Sequence, residues 1–217
     1  MDAPQPNVFD DLRGPILPGE QYRLASVLVL IYPRAGEPYV VFMRRTDTVE
    51  HHKGQISLPG GGRDDTDPDA IYTALREAQE ELGIDPEAVQ VIGTLPDIYA
   101  RISYFLITPV VGVLKPHAQP DLTFKPEPDE VAEVIEVPLR VFYDESVHRT
   151  EIRTRGDITY QIHFYTYGPY EVWGVTGRIM YEFARSYQLS AFSGQLAEPD
   201  GTTQVRPLAD EKLTAES

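Results

Sequence analysis

Between Pro59 and Ile84 lies the clearest helix of the chain, entered from a run of three glycines. Pro59-Gly60-Gly61-Gly62 is a poor helix former, and three residues without side chains let the backbone turn tightly and approach a ligand or metal closely. Thr66-Asp67-Pro68 then reads as a helix start, with Asp67 placed to cap and Pro68 at the first helical position. Ile71, Ala74, Leu75, Ala78 and Leu82 recur at helical spacing, and Gly83 supplies the stop. At about 100° per residue, Glu77, Glu80 and Glu81 share an arc of about 100°, whose centre lies more than a quarter-turn from the centre of the apolar set at Ala78 and Leu82. One side of the helix is therefore expected to be buried and another to present three carboxylates. Like charges at i, i+3 and i+4 repel. A hard divalent cation, Mg²⁺ or Mn²⁺, takes oxygen ligands and would relieve that repulsion. Such a triplet by itself is most often a solvated acidic face. The glycine run upstream and Arg76 beside Glu77, with a planar fork able to hold a carboxylate, set this one apart.

The remaining sequence reads as strands around that helix. Residues 24–32 form a nearly continuous apolar run suited to a central, two-sided strand. A turn at 34–37 leads to a returning strand at 38–45, and 55–58 follow a polar loop. Further strands are expected at 89–95, 101–114, 131–137, 148–153 and 159–167, and a last helix at 176–187. The aromatic alternation through Tyr160, Ile162 and Phe164 favours a strand there. Residues 116–128 carry four prolines and read as a loop. No internal repeat is present. The organisation expected is an N-terminal arm (1–20), one α/β domain with a mixed sheet and helices on its faces (21–193), and a polar, acidic tail (194–217).

Charge and composition narrow the function. Nineteen Lys and Arg against 34 Asp and Glu give a formal net charge of −15. That balance argues against nucleic-acid backbones and anionic membranes as partners, since both call for Lys/Arg surfaces. A small phosphorylated ligand stays compatible, because a local metal overrides the global field. With no cysteine, zinc-thiolate sites and thiol nucleophiles are excluded. The opening residues lack the basic and apolar segments of a signal peptide, and a cytoplasmic protein is expected.

Arg76-Glu77-Ala78-Gln79-Glu80-Glu81-Leu82-Gly83-Ile84 resembles the second half of the Nudix box, GX5EX7REUXEEXGU, with Ala78 and Ile84 at the aliphatic positions. Counting from Gly61, Asp67 stands where that box has Glu, and eight residues rather than seven separate it from Arg76. The same one-residue expansion, with an extra upstream motif, is found in the coenzyme A pyrophosphatase branch of the family. That branch's pattern lies on residues 41–84 without a gap, through Arg45-Thr46, His52, Gly54, Ile56, Pro59-Gly60-Gly61, Asp64, Asp67 and Thr73-Ala74-Leu75-Arg76-Glu77. Thr108-Pro109-Val110-Val111-Gly112 and Trp173-Gly174-Val175-Thr176 are also similar. Val49-Glu50, Leu58 and Gly62 differ from it, and Glu50 replaces an arginine.

The resemblance implies an α/β/α sandwich around a mixed sheet and hydrolysis of a nucleoside diphosphate linked to another group. Carried over by motif, Glu77, Glu80 and Glu81 become metal ligands, with Glu77 alternatively a base or ligand orienter. The Gly61 carbonyl becomes a further ligand. A general base is sought among Glu127, Asp129, Glu130 and Glu133, with Glu130 favoured. Arg76 is read as an ion-pair partner rather than a phosphate binder, and Asp67 as a cap or a ligand. Arg45, His52 and Lys53, with Gly60 and Gly61, are the candidates for substrate contacts. The aromatic group from Tyr160 to Trp173 is read as core and edge packing or as the surface of a homodimer, which Nudix relatives often form. Coenzyme A or its thioesters is the favoured substrate; ADP-ribose, a dinucleotide or a damaged nucleotide is the alternative. A non-catalytic nucleotide-binding module would carry degenerate acids in the box, and here all three are intact.

Overall fold

The computed structural model describes residues 21–46, 54–101, 103–119, 122–155 and 158–193. The arm, the acidic tail and the loop bearing His52 and Lys53 lie outside them. The main sheet is built from β1 (Arg23–Arg34), β2 (Glu37–Arg45), β3 (Ile56–Ser57), β4 (Gly60–Gly62), β5 (Val89–Thr94), β6 (Ile98–Ala100), β7 (Phe105–Leu114) and β8 (Val131–Pro138). Its path runs β3-β2-β1-β7-β5, with β4 on β1, β6 on β7 and β8 on β2. β1 runs parallel to β7 and antiparallel to β2 and β4, so the sheet is mixed. A second sheet, ordered β11-β10-β9, comprises β9 (His148–Arg155), β10 (Ile158–Tyr167) and β11 (Tyr170–Val172).

The apolar run predicted as a two-sided strand is β1, and its alternation separates two cores. Leu28 and Leu30 join Val41, Met43 and Val110 under Ala74, Ala78 and Leu82 of α1 (Ala70–Leu82). Val29 joins Val40, Phe42 and Val111 on the other face, against Ile179, Met180 and Phe183 of α2 (Gly174–Ser193). One helix on each face makes this the α/β/α arrangement. The second sheet lies on the α2 side, where Tyr165 and Val172 enter the core. No described helix is long and apolar enough to cross a membrane.

Three sequence expectations are corrected. The cap of α1 is Asp69, whose side chain accepts from the Tyr72 N–H at 2.8 Å; Asp67 lies outside the helix, taken up by Arg76. The strand expected over 101–114 starts only at Phe105. A turn in which Ser103 N–H donates to the Ala100 carbonyl, with Tyr104 at φ +56°, separates it from the short β6. The last helix extends beyond 176–187 at both ends. Gly83 ends α1 as expected, at φ +67°, with its N–H donating to Gln79 and Ala78 carbonyls.

Candidate active site

The glycine run folds as an edge strand because backbone alone can fit where it lies. β4 pairs with β1 through Ala25↔Gly62, Ser26↔Gly61 and Val27↔Gly60. A Cβ on Gly60, at φ +151°, would fall 2.3 Å from the Ser26 carbonyl oxygen. One on Gly61 would fall 2.5 Å from the Glu77 carboxyl carbon. The missing side chains thus allow β4 to lie directly against the acidic face of α1.

The three glutamates are not equivalent there. Glu81 is as buried as the core residues, only 2% exposed, and its Oε2 accepts from the Gly60 N–H at 2.8 Å. Arg45, at the end of β2, donates to its Oε1 at 3.3 Å. Burial pushes the Glu81 carboxyl up to about 8, with Glu77 and Glu130 adding to the rise and the Gly60 N–H and Arg45 opposing it. Glu77 is half-buried, and burial raises it as well, against the pull of Arg76 2.9 Å away. Glu80 points outward and pairs with Arg76 at 3.0 Å.

Arg76 is the hub of the other end. Its guanidinium donates to Asp67 at 3.1 and 3.0 Å, to Glu80 and to the Gly62 carbonyl at 3.1 Å. Asp67 also accepts from Thr73 Oγ1 and the Asp64 N–H. The bonds from Arg76, foremost, hold its carboxyl down to about 2. Arg63, which carries no motif signal in the sequence, ties the helix entry by donating to the Asp67 and Pro68 carbonyls.

The segment before β8 closes the site from a third side. Lys125 N–H donates to the Leu82 carbonyl and Glu127 N–H to that of Glu81, satisfying acceptors that a helix end leaves open. Thr46 N–H, next to Arg45, donates to the Glu130 carbonyl at 2.9 Å. Glu130 is thereby brought into electrostatic contact with both Glu77 and Glu81. Glu133 is not: it is held by Arg44 at 3.0 Å and by the Tyr170 hydroxyl at 2.5 Å, and these bonds lower its pKa. In β2, Arg44 alternates with Arg45 and so faces the opposite side of the sheet.

Arg45, Gly60, Gly61, Glu77, Glu81 and Glu130 therefore surround one place, with Arg76 and Glu80 at its rim. Among the described residues no three acidic or histidine side chains form a closed ligand set; the two arginines take up the carboxylates. The donor set still fits a hard cation, being carboxylate and carbonyl oxygens whose charges burial and mutual repulsion oppose. His52 and Lys53 fall outside the described residues.

Residues 22–154 match the NUDIX domain family model. Two proteins called uncharacterized Nudix hydrolase NudL are similar to the chain. That of Cronobacter sakazakii is 42% identical over 163 residues, covering 75% of this chain and 81% of the relative. That of Escherichia coli K12 is 40% identical over 164 residues, covering 75% and 82%. A crystal structure of a MutT/nudix family protein from Enterococcus faecalis aligns with a TM-score of 0.49 at 15% identity, covering 81% of this chain and 66% of that one.

Proposed function

Because the chain belongs to the Nudix hydrolase family, we propose that it is a metal-dependent diphosphatase of coenzyme A or its derivatives, releasing 3′,5′-ADP and 4′-phosphopantetheine. The observation that supports this reading best is the contact between Arg45 and Glu81, 36 residues apart. It joins the upstream motif that resembles the coenzyme A branch to the acidic helix, so both motifs serve one site.

Glu77, Glu80 and Glu81, with the Gly61 carbonyl, would hold Mg²⁺ or Mn²⁺. An ion held there would supply Lewis acidity to the diphosphate and would lower the pKa of a water at the site. The chain's own contribution is placement. The Gly60 N–H orients Glu81, and Arg76 orients Glu77 and Glu80. Arg45, and from the loop His52 and Lys53, offer cationic or donor groups to substrate phosphate. Glu130 accepts the proton of the attacking water. We propose a homodimer as the working form; light scattering at micromolar concentration tests it, and a monomer would overturn it.

The substrate is tested with a panel of coenzyme A, its 3′-dephospho form, ADP-ribose and a dinucleotide, scored by products released. A charge-assisted hydrogen bond to the 3′-phosphate is worth roughly 1.5–3 kcal/mol, or about 10- to 150-fold in discrimination. Coenzyme A is expected to exceed dephospho-coenzyme A in kcat/KM within that range. Markedly faster cleavage of dephospho-coenzyme A or ADP-ribose would overturn the substrate and leave the diphosphatase standing; Glu50, an acid where the branch has arginine, is the feature that would favour that outcome.

A further inference from the structure

We infer that the cleft at the start of β1, lined by Gln21, Tyr22, Arg23 and Tyr104, seats the base of a nucleotide substrate. The inference rests on the diphosphatase reading above and names what that reading leaves without a place, the base at the far end of the nucleotide.

The first observation is Tyr104. It is 58% exposed, yet its backbone stands at φ +56°, in the left-handed region that favours glycine. A bulky residue there is an outlier, and no burial of its ring compensates for the strain. Strain of this kind concentrates at ligand-holding positions. A ring that does not pack inward but is kept against its backbone preference is available to pack on something else.

The second observation is what surrounds it. Tyr22 is 42% exposed, and its ring meets that of buried Tyr99 edge-on at 6.3 Å. The Arg23 guanidinium lies over the Phe105 ring at 4.3 Å, and that of Arg101 over the Tyr99 ring at 5.3 Å. The cleft between Tyr22 and Tyr104 has a volume of about 430 Å³. Exposed aromatic faces accept any base by stacking, and guanidinium groups beside them suit a phosphorylated ribose. In a chain of net charge −15 this pairing of rings and arginines is not generic surface.

The third observation is position. Arg23 N–H donates to the Tyr104 carbonyl, and Arg63 N–H, just past β4, donates to the Leu24 carbonyl. Gly62 pairs with Ala25. Gly61 pairs with Ser26, and at about 3.3 Å per residue Tyr22 stands roughly 13 Å along the chain from it. The cleft and the Gly61–Glu77 contact are thus successive stations on one strand, within the reach of a single nucleoside diphosphate.

The test uses the full chain with Mg²⁺. Tyr104→Gly removes the ring and relieves the backbone, so Tm is expected to hold or rise. KM for coenzyme A and ADP-ribose should rise about 10-fold in Tyr104→Gly and in Tyr22→Ala, with kcat little changed, and Tyr22→Phe should retain the original KM. Calorimetric titration with AMP reads the base seat independently of turnover and should weaken by a similar factor in both truncated variants. Unchanged KM and AMP affinity in the Tyr22→Ala/Tyr104→Gly double variant would overturn the inference, as would absence of AMP binding to the unmodified protein at millimolar concentration. AMP binding lost in the variants of a protein that cleaves no diphosphate would support the cleft and overturn the diphosphatase reading instead.

Discussion

Gly61 and Glu77 approach each other so closely that a methyl group on Gly61 would stand 2.5 Å from the glutamate's carboxyl carbon and Oε2. Real carbon atoms do not tolerate that distance, so one of the two must move. Glu77 is held by Arg76, and Gly61 by its pairing with Ser26.

Gly61→Ala is therefore expected to displace the Glu77 carboxylate while leaving the fold intact. A misplacement of about 1 Å at a catalytic constellation costs on the order of 10²-fold in rate. Steady-state kinetics alongside a thermal melt checks this, and wild-type kcat in the variant would refute it.

Glu81 makes the metal-free protein sensitive to pH. Its folded value of about 8 stands above the ordinary 4.5, so the stability it contributes is complete below about pH 4.5 and is lost as pH rises through about 8. The loss is on the order of 5 kcal/mol. Glu81→Gln replaces the buried charge by a neutral group of the same shape. In EDTA the variant should melt near the parent at pH 5 and above it at pH 9. With Mg²⁺ it should lose about 10²-fold in activity. A parent Tm that stays flat from pH 5 to 9 in EDTA would contradict this reading.

Asp67 has the opposite sign. Arg76 holds its folded value at about 2, below the ordinary 3.8, so its contribution is present above about pH 4 and lost as pH falls through about 2. Asp67→Asn should lower Tm at pH 7 by about 5 °C and flatten the acid limb of the stability profile between pH 4 and 2. An acid limb identical to that of the parent would show that another carboxylate governs it.

Glu130→Gln tests the proposed base. Loss of general-base catalysis typically costs 10²- to 10⁴-fold, and kcat should fall within roughly that range with KM nearly unchanged. Metal affinity, read by calorimetry, should change much less than kcat. If kcat survives, the base lies elsewhere.

Features governed by neighbouring residues were legible in the sequence. Gly83 stops α1 because a left-handed residue ends a helix wherever it stands, and the β1 run reads as two-sided because it is apolar at successive positions rather than alternately apolar and polar. The start of α1 was not legible in the same way. Asp67 and Asp69 are both good caps, and only the folded position of Arg76, nine residues from Asp67, decides between them. A helical projection separates Glu81 from Leu82, yet both are buried. The strand that covers Glu81 comes from the glycine run, and no periodicity within the helix records its presence. The docking of residues 125–130 on the end of α1 is likewise a long-range event, carried by backbone bonds that any side chains would allow. Arg63 and the Tyr22–Tyr104 cleft lie outside the strands and helices, where spacing gives no pattern to read.

A strand of three glycines against the acidic helix has an evolutionary consequence. At Gly60 and Gly61 any replacement adds atoms where none fit, so this wall of the site has almost no heritable variation to offer. Side-chain changes that leave Glu77 and Glu81 undisturbed find room instead in the turn before β7 and at the entry to β1. The acidic side of the site is fixed by the absence of side chains, and the adaptable side begins a few residues away on the neighbouring strand.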